Sequence, residues 1–503
     1  MHLYTFLVVL LAFGWNGVHS VLLRNLSDSP SALIIAPVYQ GDAQFYVDLH
    51  CGTPPQKQTV MINTDAPATV VPCTGCADCG IQHTLFNKDG SMSFEQSRCT
   101  SPESCWEGET CAKSSGTSFC TAGRHYSRHD HWYGRQVTDF CFVGSETAVI
   151  RTEFACQTSS SGGFRSQYPD GTLSLNRASP QSFIAQLYKA GKITKQEFSL
   201  CLRPSAQERS SEAGALIFGG KDSRFHSTPM VYTEMEGEHH YAVHIRKLHL
   251  KTNERRTLKL AEVTLNDGTV VIESGFAHSH FSGAINVAFR TVWKELTGND
   301  FNDQPRYITY NQVAKLPTIV IQLAGTEKNT VPSSMLANDP DHPTDVLIEI
   351  TPQQYMEFND QTGEYVNKFE LSSPKTKRTV LGADSLRGYD VSFDSTNRRI
   401  GWAESRCVLD ENGIPMPDSK KEEEHTTPES QMCGSACQSF GFVMIAMTLG
   451  AMLMTKVSLK KIMFHSHMYR VAPTETMEVE LNSVEPSFHY EQPTLANSGE
   501  SNP

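Results

Sequence analysis

Two apolar, β-like segments that end in small polar turns recur in this chain 210 residues apart. The first, residues 60–67, reads VMINTDAP, and the second, residues 269–276, reads TVVIESGF. Val and Ile favour strands, and the polar or small residues that follow them favour turns. Two such segments in one chain look like the two halves of a single site, which demands a fold that brings them together.

Strand-like segments dominate the part of the chain that surrounds these two turns. They alternate, are rich in β-branched residues and occupy residues 45–49, 215–218, 241–245, 318–323 and 345–350. Apolar spacing near 3.6 predicts helices at 181–188 and 284–296. Roughly 390 residues are too many for one small core and suit two lobes. The sequence therefore predicts a mainly β protein with lobes at 41–232 and 233–407.

Several motifs, in order along the chain, resemble those of the pepsin-like aspartic peptidases. They are FYVDLHCGTPPQ at 45–56, DGTLSL at 170–175, VLGA at 380–383, RGYD at 387–390 and RIGWA at 399–403. Among the branches of that family, the PCTGCADC cluster at 72–79 and an apolar C-terminal segment look most like the membrane-bound plasmepsin V-like group. The resemblance implies a bilobal pepsin-like fold with a central cleft, followed by one transmembrane helix.

The two catalytic positions of that family carry different residues in this chain. The resemblance places Asn63 and Glu273 where two aspartates would activate a water molecule by sharing one proton. Asn63 can hydrogen-bond to a water but cannot take its proton. The Glu273 side chain is one methylene longer than aspartate, which displaces its oxygens from the expected position. The sequence thus predicts an aspartic endopeptidase fold without its catalytic pair.

The residues around these positions are partly retained. The resemblance assigns Thr64, Ser274 and Gly275 to the loops that support the pair, and Tyr126 to a flap that closes over a ligand. Asp65 replaces a glycine of the first loop. In the supporting segments Ser174 replaces another glycine, while Gly382 is kept.

These observations leave three hypotheses for the function. The first is a catalytically inactive pseudopeptidase that binds a peptide or protein in its cleft and needs no cofactor. The second is an atypical endopeptidase in which Asp65 and Glu273 form a shifted carboxylate pair. The third is a metal or small-ligand site built from Glu273 and four histidines, His129, His131, His278 and His280.

The chain ends predict a secretory, membrane-anchored protein. Residues 1–20 read as a signal peptide and 433–455 as a spanning helix, with a short segment at 21–40 and a stalk at 408–432. Lys456, Lys460 and Lys461 place the tail, 456–503, in the cytosol and the bulk of the protein in the lumen or outside the cell. Asn25 begins a glycosylation sequon.

Cysteine content and charge agree with this location. Twelve of the 14 cysteines lie between Cys51 and Cys407, which predicts up to six disulfides in an oxidising compartment. Zinc is the alternative for the cluster of Cys73, Cys76 and Cys79. The net charge of −12 argues against a nucleic-acid partner.

Overall fold

The computed structural model describes residues 33–79, 84–114, 116–125, 129–205, 210–302, 304–373, 377–410, 413 and 415–416. All of them lie in the first of two compact units, 1–426, and the second unit, 427–503, falls outside the described residues. The predicted signal peptide, the Asn25 sequon, the predicted spanning helix and the predicted tail also lie outside them.

The prediction of a mainly β protein is confirmed. Within the described residues the strands are β1 (Ile34–Gly41), β2 (Gln44–Cys51), β3 (Gln56–Asn63), β4 (Val70–Ala77), β5 (Glu95–Gln96), β6 (Cys111–Ser114), β7 (Thr117–His125), β8 (His131–Val143), β9 (Ile150–Ser160), β10 (Gly171–Ser174), β11 (Glu197–Leu202), β12 (Glu212–Phe218), β13 (Val231–Glu234), β14 (Ile245–Lys251), β15 (Arg255–Thr257), β16 (Val270–Ile272), β17 (His280–Phe281), β18 (Thr318–Leu323), β19 (Val346–Ile350), β20 (Met356–Asn359), β21 (Glu364–Asn367), β22 (Glu370–Leu371), β23 (Thr379–Leu381), β24 (Tyr389–Asp394) and β25 (Arg399–Glu404).

Helices are short by comparison. The α-helices of the described residues are α1 (Gly163–Ser166), α2 (Phe183–Lys189), α3 (Glu262–Leu265), α4 (Asn286–Thr297), α5 (Tyr310–Val313) and α6 (Pro352–Tyr355). Short 3₁₀ turns add Lys88–Gly90, Pro102–Ser104, Glu146–Ala148, Ser223–Phe225, Gly283–Ile285 and Ala383–Leu386. In this described part of the chain no helix combines the length and the apolar character that crossing a membrane requires.

The two predicted helices correspond to α2 and α4. The apolar side chains that carried the 3.6-residue pattern face inward, with Phe289, Val292 and Trp293 buried on α4. That helix ends at Gly298, whose φ of 71° allows the left-handed cap that closes it. Each observed helix begins two residues later and ends one residue later than the sequence predicts.

A large sheet joins the first and last parts of the chain. Its strand order is β13-β25-β24-β11-β12-β1-β2-β3-β10-β4-β9-β8-β7-β6, with β5 added to β8. Three smaller sheets, β15-β14-β18-β19, β16-β23-β17-β22 and β20-β21, belong to the later half. The pairing of β24 with β11 therefore ties the end of the described chain to its first half, and β13, which spans the lobe boundary placed after residue 232, pairs with β25.

Alternating burial explains why the strands pack as they do. On β1, Ile34, Ala36 and Val38 are buried while the residues between them are half exposed, as the two-residue period of a strand requires. The core continues across both halves. Phe198 of β11 stacks on Phe393 of β24, and Tyr241 meets both rings edge to face.

One predicted strand differs in detail. Residues 241–244 lie outside the regular ladder of β14, which begins at Ile245. They still align with β16, because Val243 donates its N–H to the Val270 carbonyl and Ile272 donates to the Tyr241 carbonyl. The segment is an irregular strand that pairs with β16, the strand that ends at the second polar turn.

The prediction of disulfides is confirmed, and the structure supplies the pairing that the sequence could not. The six bonds are Cys51–Cys141, Cys73–Cys156, Cys76–Cys79, Cys99–Cys111, Cys105–Cys120 and Cys201–Cys407. All three thiols of the proposed zinc cluster are therefore oxidised, which removes the thiolates that a zinc site needs. The Cys201–Cys407 bond links β11 to the residues just after β25, across a separation of 206 residues.

Candidate functional site

Two matching strand pairs present the polar turns. In the first half β10 runs parallel to β3 and pairs Ser174 with Asn63, while in the second β23 runs parallel to β16. Each inner strand also meets the strand that leaves the turn, Thr172 opposite Val70 and Val380 opposite His280. This repeated topology explains why Asn63 and Glu273 end up at equivalent positions of two similar loops.

The two loops hold each other through buried hydrogen bonds. Thr64 donates its hydroxyl to the Ile272 carbonyl at 3.0 Å and accepts from the Ser274 N–H at 3.1 Å. Ser274 donates its own hydroxyl to the Ile62 carbonyl at 2.8 Å. All three contacts are buried and cross from one half of the chain to the other. They fix the spacing of the two catalytic positions independently of the residues at those positions.

Replacing Thr64 with Val is expected to destabilise the fold by about 2–4 kcal/mol, because it leaves a buried carbonyl and a buried N–H without partners. Urea unfolding followed by tryptophan fluorescence measures this change. The matched control is Thr291→Val on the exposed face of α4, where a change below about 0.5 kcal/mol is expected. Equal effects of the two substitutions would contradict a structural role for the Thr64 hydroxyl.

The supporting segments are also equivalent, although one carries serine and the other glycine. Ser174 donates its N–H to the Thr69 hydroxyl at 3.1 Å, and Gly382 donates its N–H to the Ser279 hydroxyl at 3.0 Å. A Cβ on Gly382 would lie 2.6 Å from the His278 backbone, so glycine is required there. Ser174 has room, and its buried hydroxyl donates to the Ala66 carbonyl. The serine therefore braces the first loop.

Asn63 is engaged in holding its own loop. Its Oδ1 accepts the backbone N–H groups of Asp65 and Ala66, both at 2.8 Å. Its Nδ2 faces Gly275, where an added Cβ would approach to 2.2 Å. The side chain thus acts as a turn cap, and an amide at this position has no acidic or basic function to offer.

Arg378, which precedes β23, lies between the two carboxylates of the site. Its Nη2 donates to Glu273 Oε2 at 3.1 Å and to Asp65 Oδ2 at 3.2 Å. The other oxygen of Asp65 pairs with His240 Nδ1 at 2.5 Å. Asp65 and Glu273 do converge, but they converge on a shared cation.

Glu273 is the buried member of this group, with a side chain 8% exposed, whereas that of Arg378 is 45% exposed. Burial raises the pKa of Glu273 to about 7, with a further increase from the negative charge of Asp65, while Arg378 acts in the opposite direction. The carboxyl group is thus half protonated near neutral pH.

A pocket of about 320 Å³ opens beside the two catalytic positions. Its walls are mainly apolar side chains and small loop residues from the first half, with a few polar groups, and they comprise Gln44, Met61, Asn63, Ala66, Pro67, Ala68, Val70, Asp130, Trp132, Gly163, Phe164, Gln167, Thr172, Glu273, Gly275 and Phe276. Phe276 is 41% exposed at its edge. Its size and apolar lining suit a large apolar side chain of a ligand.

The other predicted site residues separate into two groups. Tyr126 lies outside the described residues, so its place in a flap stays a prediction.

The four histidines of the metal hypothesis do not form a common ligand set in the described part of the chain. His131 pairs with Ser161 and His280 pairs with Glu370. The one described cluster of three potential ligands is Cys99, Cys105 and Cys111, whose sulfurs are in disulfides.

Arg378 and His240 were not among the residues singled out from the sequence. Neither belongs to a recognisable motif, and each lies far along the chain from Asp65, by 313 and 175 residues. Two neighbouring carboxylates generally attract a cationic side chain. That Arg378 is this side chain follows from the register of β23 beside β16, which places the residue before β23 at the site.

Comparison with known proteins agrees with this geometry. The family model described as Xylanase inhibitor N-terminal matches residues 45–220, about a third of the chain. Pregnancy-associated glycoprotein 4 of Ovis aries is 24% identical over 396 residues, which cover 76% of this chain and 88% of the relative. Aspartic proteinase nepenthesin-1 of Nepenthes gracilis is 24% identical over 286 residues, or 54% of this chain and 60% of the relative.

Plasmepsin V of Plasmodium falciparum (isolate 3D7) is 24% identical over 186 residues, which cover 35% of this chain and 30% of the relative. The chain therefore spans most of the first relative but less than two thirds of the other two. The mainly β fold, its two matching loops and these similarities identify the chain as a homologue of the pepsin-like aspartic peptidases.

Proposed function

We propose that the protein binds a peptide or protein segment in its cleft without cleaving it. The observation that supports this most strongly is the Arg378 guanidinium, which hydrogen-bonds to both Asp65 and Glu273 at the centre of the site. Hydrolysis by two carboxyl groups requires that one of them hold a proton and the other accept one from water. The guanidinium occupies the space between Asp65 and Glu273 in which such a pair would hold the reacting water.

The residue at the first catalytic position adds to this argument. Asn63 cannot accept a proton from water, and its Oδ1 is already used by two backbone N–H groups. Glu273 alone has the pKa of a general base, but it lacks the acidic partner that an aspartic peptidase uses to protonate the scissile group. The site therefore has one ionisable group at the two positions where the reaction needs two.

Binding, by contrast, is well supported. The loops remain locked together, and the apolar pocket beside them is open to solvent at Phe276. Sites that recognise ligands are usually apolar cavities with a few placed polar groups, here Asp130, Gln167 and Glu273. We propose that one large apolar side chain of the bound segment occupies this pocket.

The test is cleavage of a diverse peptide library by the purified protein between about pH 3 and pH 8, the range in which carboxyl groups and His titrate. The control is the Asn63→Ala/Asp65→Ala/Glu273→Ala variant. We expect the same background for both proteins. Cleavage that disappears in the control would refute the proposal and favour the shifted Asp65 and Glu273 pair.

We also propose that the protein is a type I membrane protein of the secretory pathway. The uncharged segment at 433–455 is followed by Lys456, Lys460 and Lys461, and the six disulfides suit an oxidising compartment.

Translation in the presence of microsomes tests this topology. We expect added protease to remove only the tail, 456–503, and Asn25→Gln to abolish a glycan-dependent mass increase. Full digestion of the chain, or full protection including the tail, would contradict the proposed topology.

A further inference from the structure

A second and larger pocket lies on the other side of the Glu273 loop. Its volume is about 850 Å³, within the range of ligand sites. Ala277 and His278 of the loop, the turn between β1 and β2, and the β20–β21 hairpin surround it, and Arg387 lines it as well. The apolar pocket described above ends at Phe276, so the two cavities flank the same short loop.

Arg387 is the most unusual residue of this pocket. It is 8% exposed, and its Nε and Nη2 atoms are buried without a hydrogen-bond partner in the described structure. Burial lowers the pKa of its guanidinium to about 10, so the group remains charged at physiological pH. A buried charge without hydrogen bonds is costly, and such a group is normally paired.

The neighbouring acid does not supply that pairing. Asp384 is fully buried, and burial raises its pKa to about 6. Its two oxygens accept hydrogen bonds from the Ser279 N–H, the Ser279 hydroxyl and the Ser385 N–H. Asp384 therefore offsets part of the Arg387 charge by electrostatic attraction, but it accepts no hydrogen bond from Nε or Nη2.

His278 supplies a second unused donor beside Arg387. Both ring nitrogens are buried without a hydrogen-bond partner in the described structure, and the closest carboxylate oxygens, of Glu357 and Asp384, are 3.9 and 4.0 Å away. Burial lowers the pKa of His278 to about 4, helped by the positive charges of Lys368 and Arg387. The ring is therefore neutral at physiological pH and offers one N–H.

The two donors of Arg387 that lack partners match the geometry of one kind of ligand, a carboxylate. Nε and Nη2 form one edge of the planar guanidinium, and two parallel N–H groups on such an edge match the two oxygens of a carboxylate. The Arg387 backbone is fixed, because its carbonyl accepts from Gln354 Nε2 at 2.9 Å. The backbone that carries the guanidinium is thus held in place before a ligand arrives.

We propose that this pocket binds a carboxylate of the peptide segment held in the cleft, through the Nε and Nη2 groups of Arg387 and the ring N–H of His278. The inference deepens the proposed function and rests on it for the identity of the ligand as a peptide. The carboxylate belongs either to an Asp or Glu side chain or to a free C-terminus.

The mouth of the pocket restricts which acidic ligands can enter. Asp42, Glu357 and Asp360 line it, and Lys368 Nζ pairs with Glu357 at 3.1 Å. The exposed carboxylate of Asp360 at the solvent side disfavours strongly acidic segments, although salt screens it within about 8–10 Å. We therefore expect a preference for a single carboxylate rather than for a run of acidic residues.

The first experiment uses acetate as the probe, because it tests the pocket without any peptide. The thermal midpoint of the purified full-length protein is measured in sodium acetate and in sodium chloride of equal ionic strength. We expect acetate to raise the midpoint of the wild-type protein by roughly 2 °C or more and to have no specific effect on Arg387→Lys, which keeps the charge but not the two-pronged edge. The same acetate effect in both proteins, or in neither, would overturn the site.

The second experiment identifies the source of the carboxylate. Three peptide libraries are passed over the immobilised full-length protein: one with free C-termini, one amidated, and one amidated and lacking Asp and Glu. We expect the wild-type protein to retain the third library at least about tenfold less well than the best of the other two, and Arg387→Lys to lose that preference. Equal retention of all three libraries would overturn the proposed carboxylate contact.

The two experiments also separate this inference from the function on which it rests. An Arg387-dependent acetate effect with no retention of any library would refute the peptide-binding proposal and, with it, the assignment of the carboxylate to a peptide. Arg387→Met guards against misfolding, since replacing an unpaired buried charge with an apolar side chain should leave stability unchanged or higher. A folded Arg387→Met protein that still prefers acidic libraries would refute the role of Arg387.

Discussion

Replacing Glu273 with Gln is expected to change the pH dependence of stability by up to about 3 kcal/mol, because its pKa of about 7 in the folded protein lies well above its ordinary value of 4.5. The folded state binds the Glu273 proton between these two pH values, while the unfolded state releases it. The stabilisation from this group is therefore complete below about pH 4.5 and is lost as the pH rises through about 7. The Gln variant has no titratable group at position 273, so it does not lose this stabilisation as the pH rises.

Urea unfolding of both proteins at several pH values between about 4.5 and 8 measures the difference directly. The variant should gain stability relative to wild type as the pH rises, and the gain should level off above neutral pH. Asp384, whose pKa is also raised, titrates in both proteins and cancels in the comparison. Glu349→Gln, at a surface ion pair with Lys251, serves as the control. A pH-independent difference between wild type and Glu273→Gln would contradict the buried, raised-pKa state of Glu273.

Restoring aspartates at the two catalytic positions is expected to leave the protein nearly inactive. In the Asn63→Asp/Glu273→Asp variant, the Arg378 guanidinium and the Asp65 carboxylate still lie at the centre of the site. Arg378 supplies an ion-pair partner at position 273 and Asp65 adds a third carboxylate, so the symmetric pair that shares one proton in an aspartic peptidase is not restored. We expect peptide cleavage to rise less than about tenfold above background, although acid–base catalysis by such a pair is worth ~10²–10⁴-fold.

The matched comparison adds Asp65→Gly and Arg378→Met to the same two restorations. Removal of the cation and of the extra anion should raise cleavage by at least about tenfold over the double variant, since the proton can then be shared. Ser174 needs no change, because its hydroxyl already braces the loop through the Ala66 carbonyl. Efficient turnover by the double variant alone, or no gain from the two further substitutions, would contradict the role assigned to Arg378.

The strands and the loops of the site could be located from the sequence because their patterns are local. The runs of Val and Ile that end at Asn63 and Glu273 specify strands followed by turns, and the residues of the supporting segments follow similar runs. The contacts that Thr64 and Ser274 make across the two loops depend only on backbone carbonyls and small hydroxyls. Such features do not depend on which residues stand at positions 63 and 273.

The contacts of Arg378, His240 and Arg387 could not be read in the same way. Each depends on which strands lie side by side and on which side chains are left without partners after packing. In the sequence, Arg387 is only the first residue of the RGYD motif at 387–390. The structure shows that its Nε and Nη2 atoms are buried without hydrogen-bond partners. Likewise, the sequence shows only that Ser174 stands where the resemblance expects a glycine, whereas the packing gives its hydroxyl a buried partner.

The most direct test of binding without cleavage is a single retention experiment. A diverse peptide library is incubated with the immobilised full-length protein near neutral pH, and the retained peptides are eluted and identified by mass spectrometry. Our account predicts intact peptides that share a large apolar residue and are retained less well by Ala66→Trp, which fills the pocket beside Asn63. Recovery of cleaved products with new termini, or the absence of any retained peptide, would contradict it.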